Sequence, residues 1–192
     1  MATYKGLPLF NMSIIDGIGG VEIVSLVDFP AIERDFIKFA KETEIKFSVN
    51  DDKHIVTGPV LIPEQKVYRR NEDGYEYYIQ FSADAIKQIA EKFFADHNTT
   101  NVNLDHQYDV DGCVYFESYF IDRTRGIVPE EFADLPDGTW MMSCKINNPS
   151  VWSLVKDGTL RGFSIEGHMF PSEPEEPVFN TIQELIDYLN QE

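Results

Sequence analysis

Short strand-like segments separated by turn-forming residues are the feature that most restricts the fold of this sequence. Each segment is rich in β-branched and aromatic residues and is bounded by Gly, Pro, Asn, Asp or charged residues. The predicted strands are Val21–Val27, His54–Ile62, Glu76–Phe81, Val102–Tyr108, Val114–Ile121, Thr139–Ile146 and Leu160–Phe170. Helical patterns lie between and after these strands without the regular alternation of a βαβ series. The sequence therefore predicts an α+β fold, in which a mostly antiparallel β-barrel, closed or nearly closed, is flanked by helices.

Helices are predicted where apolar residues recur three or four positions apart or where capping residues occur. The predicted helices are Ala31–Glu42, Ala83–Asp96, Ser150–Asp157 and Thr181–Leu189. Ser82 precedes the second of these helices and Asn148 precedes the third, where each side chain can accept a hydrogen bond from the first helical turn. The chain thus carries its own signals for where these helices begin.

The chain divides at an acidic, proline-rich stretch that begins at Ser172 (SEPEEP). We expect residues 1–171 to form the main domain, with residues 1–20 as an irregular, glycine-rich segment at its start. Residues 172–192 are expected to form an acidic linker followed by the C-terminal helix. A chain of 192 residues is long enough for one sizeable domain and too short for two ordinary ones.

The balance of charge argues against two classes of partner. The chain has 33 acidic and 16 basic residues, which gives a formal net charge of -17. Such a surface repels the phosphates of nucleic acids and of anionic lipids, so neither nucleic acid nor membrane is an expected partner.

Residues 1–9 carry a single Lys and lack the long apolar run of a secretory signal. We expect the protein in a reducing cytoplasm.

Metal and cofactor chemistry has no sequence pattern to support it. The chain has four His and two Cys, Cys113 and Cys144, without the close spacing of a structural zinc site. Both cysteines lie in apolar, strand-like stretches, where a free thiol behaves as a small buried hydrophobe. We therefore expect neither a metal nor a cofactor.

Ser164 is the first candidate for catalysis. It lies in the predicted strand that reads LRGFSIEGHMF, where alternation places Gly162, Ser164, Glu166 and His168 on one side. A hydroxyl with glycines nearby is accessible, and glycine permits the close backbone approach that a substrate or an oxyanion hole requires. The same residues also fit an exposed strand serine beside a glycine bulge.

His106 is the candidate general base, since a serine hydroxyl is hardly ionised at neutral pH without one. It shares parity with Val102 and Leu104 in its predicted strand, so we expect its ring to face an apolar side. A neutral imidazole there can accept a proton from serine. A core histidine whose ring nitrogens are satisfied by hydrogen bonds fits the same pattern.

A third group has to orient the histidine, and the carboxylates within predicted strands are the candidates. Glu22 shares parity with apolar neighbours, Glu117 lies among aromatic residues, and Glu166 lies on the strand of Ser164. A carboxylate on an apolar face is costly unless it is paired. Solvated side chains remain the alternative for all three.

Four segments between Gly58 and Gly167 occur in a distinctive order and spacing: Gly58–Pro63 (GPVLIP), Asn103–His106 (NLDH), Gly138–Met141 (GTWM) and Trp152–Gly167 (WSLVKDGTLRGFSIEG). On these segments the stretch resembles the XkdF-like family of phage serine proteases. The resemblance implies a capsid-maturation protease with a herpesvirus-assemblin-like fold. His106 falls on the histidine of the family and Ser164 on its serine.

A second resemblance suggests the acid. The larger phage prohead-protease family has a Glu-x-x-Ser-Leu-Val-x-x-Pro-Ala motif after the serine strand, and a similar string lies here at Glu22–Ala31. We interpret this as a circular permutation in which the same strand comes from the other end of the chain. This hypothesis makes Glu22 the third member of the triad, with Glu117 second and Glu166 third in order of preference.

The function that the resemblance implies is acyl transfer by a Ser-His-acid triad inside the prohead, in the host cytoplasm. Such enzymes cut scaffold proteins, extensions of capsid proteins and themselves, and they commonly require a homodimer or an assembled particle. The alternative is a non-catalytic capsid-assembly or scaffold module with the same fold, in which Ser164 is only structural.

Overall fold

A computed structural model describes residues 2–15, 17–28, 48–50, 53–71 and 73–172. The described strands are β1 (Thr3–Tyr4), β2 (Leu7–Ser13), β3 (Gly20–Val27), β4 (Ser48–Asn50), β5 (Ile55–Leu61), β6 (Val67–Arg70), β7 (Glu76–Gln80), β8 (Asn103–Leu104), β9 (Tyr108–Asp109), β10 (Cys113–Phe120), β11 (Trp140–Ile146), β12 (Gly162–His168) and β13 (Phe170–Pro171). The α-helices are α1 (Ala83–Ala95) and α2 (Pro149–Lys156), and short 3-10 turns occur at Asn98–Thr100, Arg123–Arg125 and Glu130–Phe132.

The strands form three separate sheets. The first has the order β1-β2-β7-β6, with β13 paired to β2; the second is β10-β11-β5-β4, and the third is β12-β3-β8-β9. Most pairs are antiparallel, although β2 with β7 and β3 with β8 are parallel. The predicted α+β class is confirmed. The predicted barrel is not seen, because none of these sheets closes on itself within the described residues.

Two strand predictions were wrong. Residues 1–20 were expected to be irregular, yet they contain β1, β2 and the first residue of β3. β2 pairs with β7 and with β13, which are both distant from it in the sequence. Local sequence patterns do not reveal such long-range pairing. The segment Val102–Tyr108 was expected to be one strand, but a turn divides it into β8 and β9.

Helix α1 begins where the sequence predicts. The Ser82 side chain accepts a hydrogen bond from the backbone N–H of Ala85 at 3.2 Å. Ile86, Ile89 and Phe93 recur along one face of the helix and are fully buried. This face belongs to the main hydrophobic core, which also includes residues of β3, so the helix supports the strand that carries the site.

Helix α2 is also confirmed, since the Asn148 side chain accepts hydrogen bonds from the first turn of the helix. The predicted helices Ala31–Glu42 and Thr181–Leu189 lie outside the described residues. Of the helices that the structure describes, none is long and apolar enough to cross a membrane.

Strand β3 has one face in the core. Val24 and Leu26 are fully buried there, and the Tyr115 hydroxyl donates a hydrogen bond to the Val24 carbonyl at 2.9 Å. The Tyr115 ring packs edge-to-face on Phe163 of β12, with ring centroids 5.5 Å apart. These contacts hold the core-facing sides of β3 and β12 in place. The alternate residues of both strands project from the face away from the core.

Candidate active site

Strand β12 presents Ser164 and Glu166 on one face. It pairs antiparallel with β3, and Ser164 lies directly opposite Ser25 in the register. Phe163, between Gly162 and Ser164, is buried in the core on the other face. The alternation predicted for these residues is therefore confirmed up to Glu166.

A β-bulge in β3 lies opposite the next residues of β12. Glu166 is paired with Ile23, but the next residue, Gly167, is paired with Val21, so the register shifts by one residue. The extra residue is Glu22 of β3, and no residue is inserted between Ser164 and His168 on β12. Glycine is required at the bulge because a Cβ on Gly167 would lie 2.0 Å from the Gly20 carbonyl oxygen.

His106 lies in the turn between β8 and β9. The prediction that it continues the strand alternation of Val102 and Leu104 was therefore wrong. The Gln107 N–H donates to the Leu104 carbonyl at 3.0 Å and closes the turn. Asp105 and His106 have φ values of 47° and 59°, a left-handed conformation in which Asp and His are enriched among non-glycine residues. The turn brings the imidazole over the face of β12 that carries Ser164.

Asp105 ties this turn to the end of β3. Its backbone N–H donates to the Leu26 carbonyl at 3.1 Å, and its carboxylate accepts a hydrogen bond from the Asp28 N–H, also at 3.1 Å. Asp28 in turn forms an ion pair with Arg161, which lies just before β12. The turn that carries the histidine and the strand that carries Ser164 are thus attached to the same end of β3.

The His106 ring connects Ser164 to Glu166. Its Nε2 atom lies 3.0 Å from Ser164 Oγ, and its Nδ1 atom lies 2.8 Å from Glu166 Oε1. Both distances are within normal hydrogen-bond range. The side chains of His106 and Glu166 are 38% and 34% exposed, so the chain of contacts opens to solvent.

Glu166 is surrounded by hydrogen-bond donors. Its Oε1 atom accepts a short hydrogen bond from the Asn103 amide and one from Ser25 Oγ at 3.1 Å, besides its contact with His106. Partial burial raises the pKa of Glu166, but these hydrogen bonds lower it by more, so the pKa lies below the ordinary value of 4.5. The carboxylate is therefore charged at neutral pH.

The charge on Glu166 fixes the position of the imidazole proton. A carboxylate is only an acceptor, so Nδ1 of His106 has to carry the proton when the ring is neutral. Nε2 then presents its lone pair to Ser164 Oγ. An imidazole in this tautomer is ready to accept the serine proton.

Glu22, the expected third member, does not reach His106. It lies at the bulge of β3, where Glu166 pairs with Ile23 and Gly167 pairs with Val21. There its carboxylate lies 3.5 Å from Nδ1 of His168, and both side chains are exposed. The strand that carries Glu22 does pair with β12, but Glu166 is the carboxylate beside His106.

Glu117, the second choice, lies in a different sheet. It sits at a bulge in β10 and accepts a hydrogen bond from Ser143 of β11. Among the residues that the structure describes, no group of three or more His, Cys, Asp or Glu residues is arranged to hold a metal ion.

Sequence reasoning overlooked Ser25 and Asn103. Ser25 is a lone hydroxyl inside the apolar run Val24–Val27, and it is fully buried. Asn103 is also buried, and its side chain reaches Glu166 from β8. These residues could have been identified as polar residues within otherwise apolar strands, because a buried polar group needs a hydrogen-bond partner.

A hydroxyl, an imidazole and a carboxylate in one hydrogen-bonded chain form the arrangement that defines the serine hydrolases of triad type. Residues 42–171 match the family described as "Putative phage serine protease XkdF". The match covers more than half of the chain, and the chain belongs to this family. No curated protein and no solved structure matched the chain in the corresponding searches.

Proposed function

We propose that this protein is a serine endopeptidase that cuts peptide bonds by acyl transfer. In this proposal Ser164 is the nucleophile, His106 is the general base, and Glu166 orients the imidazole. The observation that carries the proposal is the continuous hydrogen-bonded chain from Ser164 Oγ through His106 to Glu166 Oε1, with contacts of 3.0 and 2.8 Å. Membership of a phage serine protease family supports the same reaction.

Accessibility favours Ser164 over Ser25 as the nucleophile. Both hydroxyls lie 3.0 Å from a nitrogen of His106, one at each side of the ring. Ser25 is fully buried, so a peptide carbonyl cannot approach it, whereas Ser164 is partly exposed. Ser25 also faces Nδ1, which carries the ring proton and cannot act as a base.

The proposed reaction begins when Ser164 Oγ attacks the scissile carbonyl and Nε2 of His106 takes the hydroxyl proton. Backbone N–H groups near the serine would hold the oxyanion, with Gly162 and Gly167 as candidates to border that site. His106 then returns the proton to the leaving amine as the C–N bond breaks. Water, deprotonated by the same nitrogen, attacks the acyl-serine ester, and His106 returns this proton to Ser164 Oγ as the ester bond breaks and the second product leaves.

The proposed setting is the phage prohead. Scaffold proteins, capsid-protein extensions and the enzyme itself would be the substrates, and a homodimer or the assembled particle would be the active form. We propose the assemblin-like fold on the sequence resemblance alone. The setting is supported by membership of a phage protein family. It is also consistent with the net charge of -17, because a strongly acidic surface repels nucleic acids and anionic membranes.

A fluorophosphonate probe tests the proposal, because it reacts covalently with an activated serine. The wild-type chain, alone and co-assembled with the capsid and scaffold proteins of its phage, should be labelled at Ser164 and should cut those partners. Ser164→Ala should abolish both. Ser143→Ala is the control, since Ser143 is also a strand serine, but it lies in the second sheet and donates to Glu117.

Two results would overturn the proposal. One is labelling and cleavage that persist at wild-type rates in Ser164→Ala. The other is a complete lack of labelling and cleavage in both the isolated and the assembled wild-type protein, which would favour the non-catalytic capsid-assembly module.

A further inference from the structure

Ser25 is a buried polar residue in an otherwise apolar segment of strand. Its neighbours Val24 and Leu26 are fully buried in the core, and Ser25 itself is also fully buried, on the face of β3 that meets the site. A buried hydroxyl without a hydrogen-bond partner is energetically costly in apolar surroundings. The partners of this hydroxyl are therefore the reason that a serine is tolerated here.

Those partners are the two groups that activate Ser164 in the proposed mechanism. Ser25 Oγ lies 3.1 Å from Glu166 Oε1 and 3.0 Å from Nδ1 of His106. The Ser25 hydroxyl has one proton, which it donates to the carboxylate. Its oxygen then faces the Nδ1 proton of His106, which is shared between Glu166 Oε1 and Ser25 Oγ.

The register of the sheet sets this geometry. Ser25 and Ser164 are direct cross-strand partners, so their Cβ atoms project side by side from the same face of the sheet. The imidazole lies over this pair with one nitrogen towards each hydroxyl. A backbone pairing therefore fixes both serines relative to one ring.

We propose that Ser25 is a positioning residue for the protease reaction, which holds the His106 ring and the Glu166 carboxylate in the orientation that activates Ser164. The role rests on the proposed function. Ser25 does not touch substrate. It acts through the ring, because it supplies a second acceptor for the Nδ1 proton as positive charge forms on the imidazole, and a donor that restrains the carboxylate.

The test compares Ser25→Ala with Ser143→Ala. Ser143 matches Ser25 closely: it is 1% exposed, lies in the middle of a strand, and donates a hydrogen bond to a glutamate. Both variants lose a buried hydroxyl and leave a carboxylate with one donor fewer. Only Ser25→Ala removes a contact with His106.

Saturation kinetics with the fluorophosphonate probe separate binding of the probe from the chemical step. We expect Ser25→Ala to lower the maximal rate of inactivation about 10- to 100-fold, because losing a hydrogen bond to a charged group has an effect of this size. The half-saturating concentration should stay unchanged. Ser143→Ala should leave both quantities within about 2-fold of the wild type. A proton NMR signal of the His106 Nδ1–H should move in Ser25→Ala and stay in place in Ser143→Ala.

Ser25→Cys keeps a group of similar shape and serves as the second variant if Ser25→Ala does not fold. Its thiol is a weaker hydrogen-bond donor and acceptor, so its maximal rate should fall below that of the wild type. The proposal is overturned if the folded Ser25 variants keep the wild-type maximal rate and the His106 signal while Ser164→Ala abolishes labelling. If Ser164→Ala is labelled like the wild type, the proposed function itself has failed.

Discussion

Glu166 lies two residues after Ser164 on the same strand, so the two side chains project from the same face of the sheet with one imidazole across them. Residues at this spacing are about 6–7 Å apart along a strand. That separation is too long for a direct hydrogen bond, and a histidine ring with a hydrogen bond at each end spans it. One strand thereby supplies both the hydroxyl and the carboxylate of the site.

The first prediction concerns the identity of the acid. Glu166→Gln should lower the rate of probe labelling on the order of 10³- to 10⁴-fold, because a neutral amide no longer fixes the tautomer of His106 or stabilises the imidazolium. Glu22→Gln should stay near the wild-type rate, since its carboxylate lies 3.5 Å from His168 and does not contact His106. Labelling rates at equal folded fractions measure both effects.

Glu117→Gln is the second control for this experiment, because its carboxylate contacts Ser143 in another sheet. A loss of activity in Glu22→Gln or Glu117→Gln together with a fully active Glu166→Gln would contradict the assignment. If the variant that loses activity is Glu22→Gln, the circular-permutation hypothesis would regain its support.

The sequence predicts part of this site correctly. Alternation along the strand is a local property, so the shared face of Ser164 and Glu166 could be predicted. The sequence also predicts the strand around Glu22. What it does not reveal is the face of β3 that meets the site, because that depends on which residues of two distant segments are paired. The interpretation that favoured Glu22 relied on a motif and lacked this register.

The turn at His106 could not be predicted from periodicity. Val102 and Leu104 alternate with polar residues as in a strand, and the interpretation carried this pattern through His106. The chain instead turns at Asp105, which is anchored to β3 by contacts with Leu26 and Asp28. Long-range hydrogen bonds decide between strand and turn at this point, and a single sequence does not display them.

The second prediction follows from the lowered pKa of Glu166. A carboxylate whose pKa is lower in the folded state than in the unfolded state stabilises the fold above its ordinary pKa, here 4.5, and loses this effect as the pH falls through the folded value. The difference in the free energy of unfolding between the wild type and Glu166→Gln should therefore be larger at pH 7 than at pH 3. Urea denaturation at both pH values measures it.

Asn103→Ala provides the control for this pH dependence. It removes the hydrogen bond that lowers the pKa of Glu166 most, so the difference between pH 7 and pH 3 should become smaller in this background. A difference that is equal at both pH values, or that grows in acid, would contradict the assignment of this carboxylate as a stabilising charge.

The third prediction concerns Asp105. Asp105→Ala should destabilise the fold by about 1–2 kcal/mol, because it removes the acceptor for the Asp28 N–H and places alanine in a left-handed conformation. Labelling should fall as the His106 turn loosens. Asp105→Asn keeps an acceptor oxygen and tolerates the positive φ, so it should stay close to the wild type. Equal labelling rates in all three proteins would show that the turn does not depend on this anchor.

The last prediction concerns the bulge next to Glu166. Gly167→Ala should destabilise the fold by about 1–3 kcal/mol or more, because its Cβ would lie 2.0 Å from a backbone oxygen of Gly20 and the two strands must separate there. Labelling should also fall, since Glu166 shifts with the strand. Gly158→Ala is the control: its φ of +80° also disfavours alanine, by about 1–2 kcal/mol, but nothing lies within 4 Å of a Cβ placed there. Urea denaturation and probe labelling of both variants decide the matter. If Gly167→Ala is as stable and as active as Gly158→Ala, close strand contact at the bulge does not hold Glu166 in place.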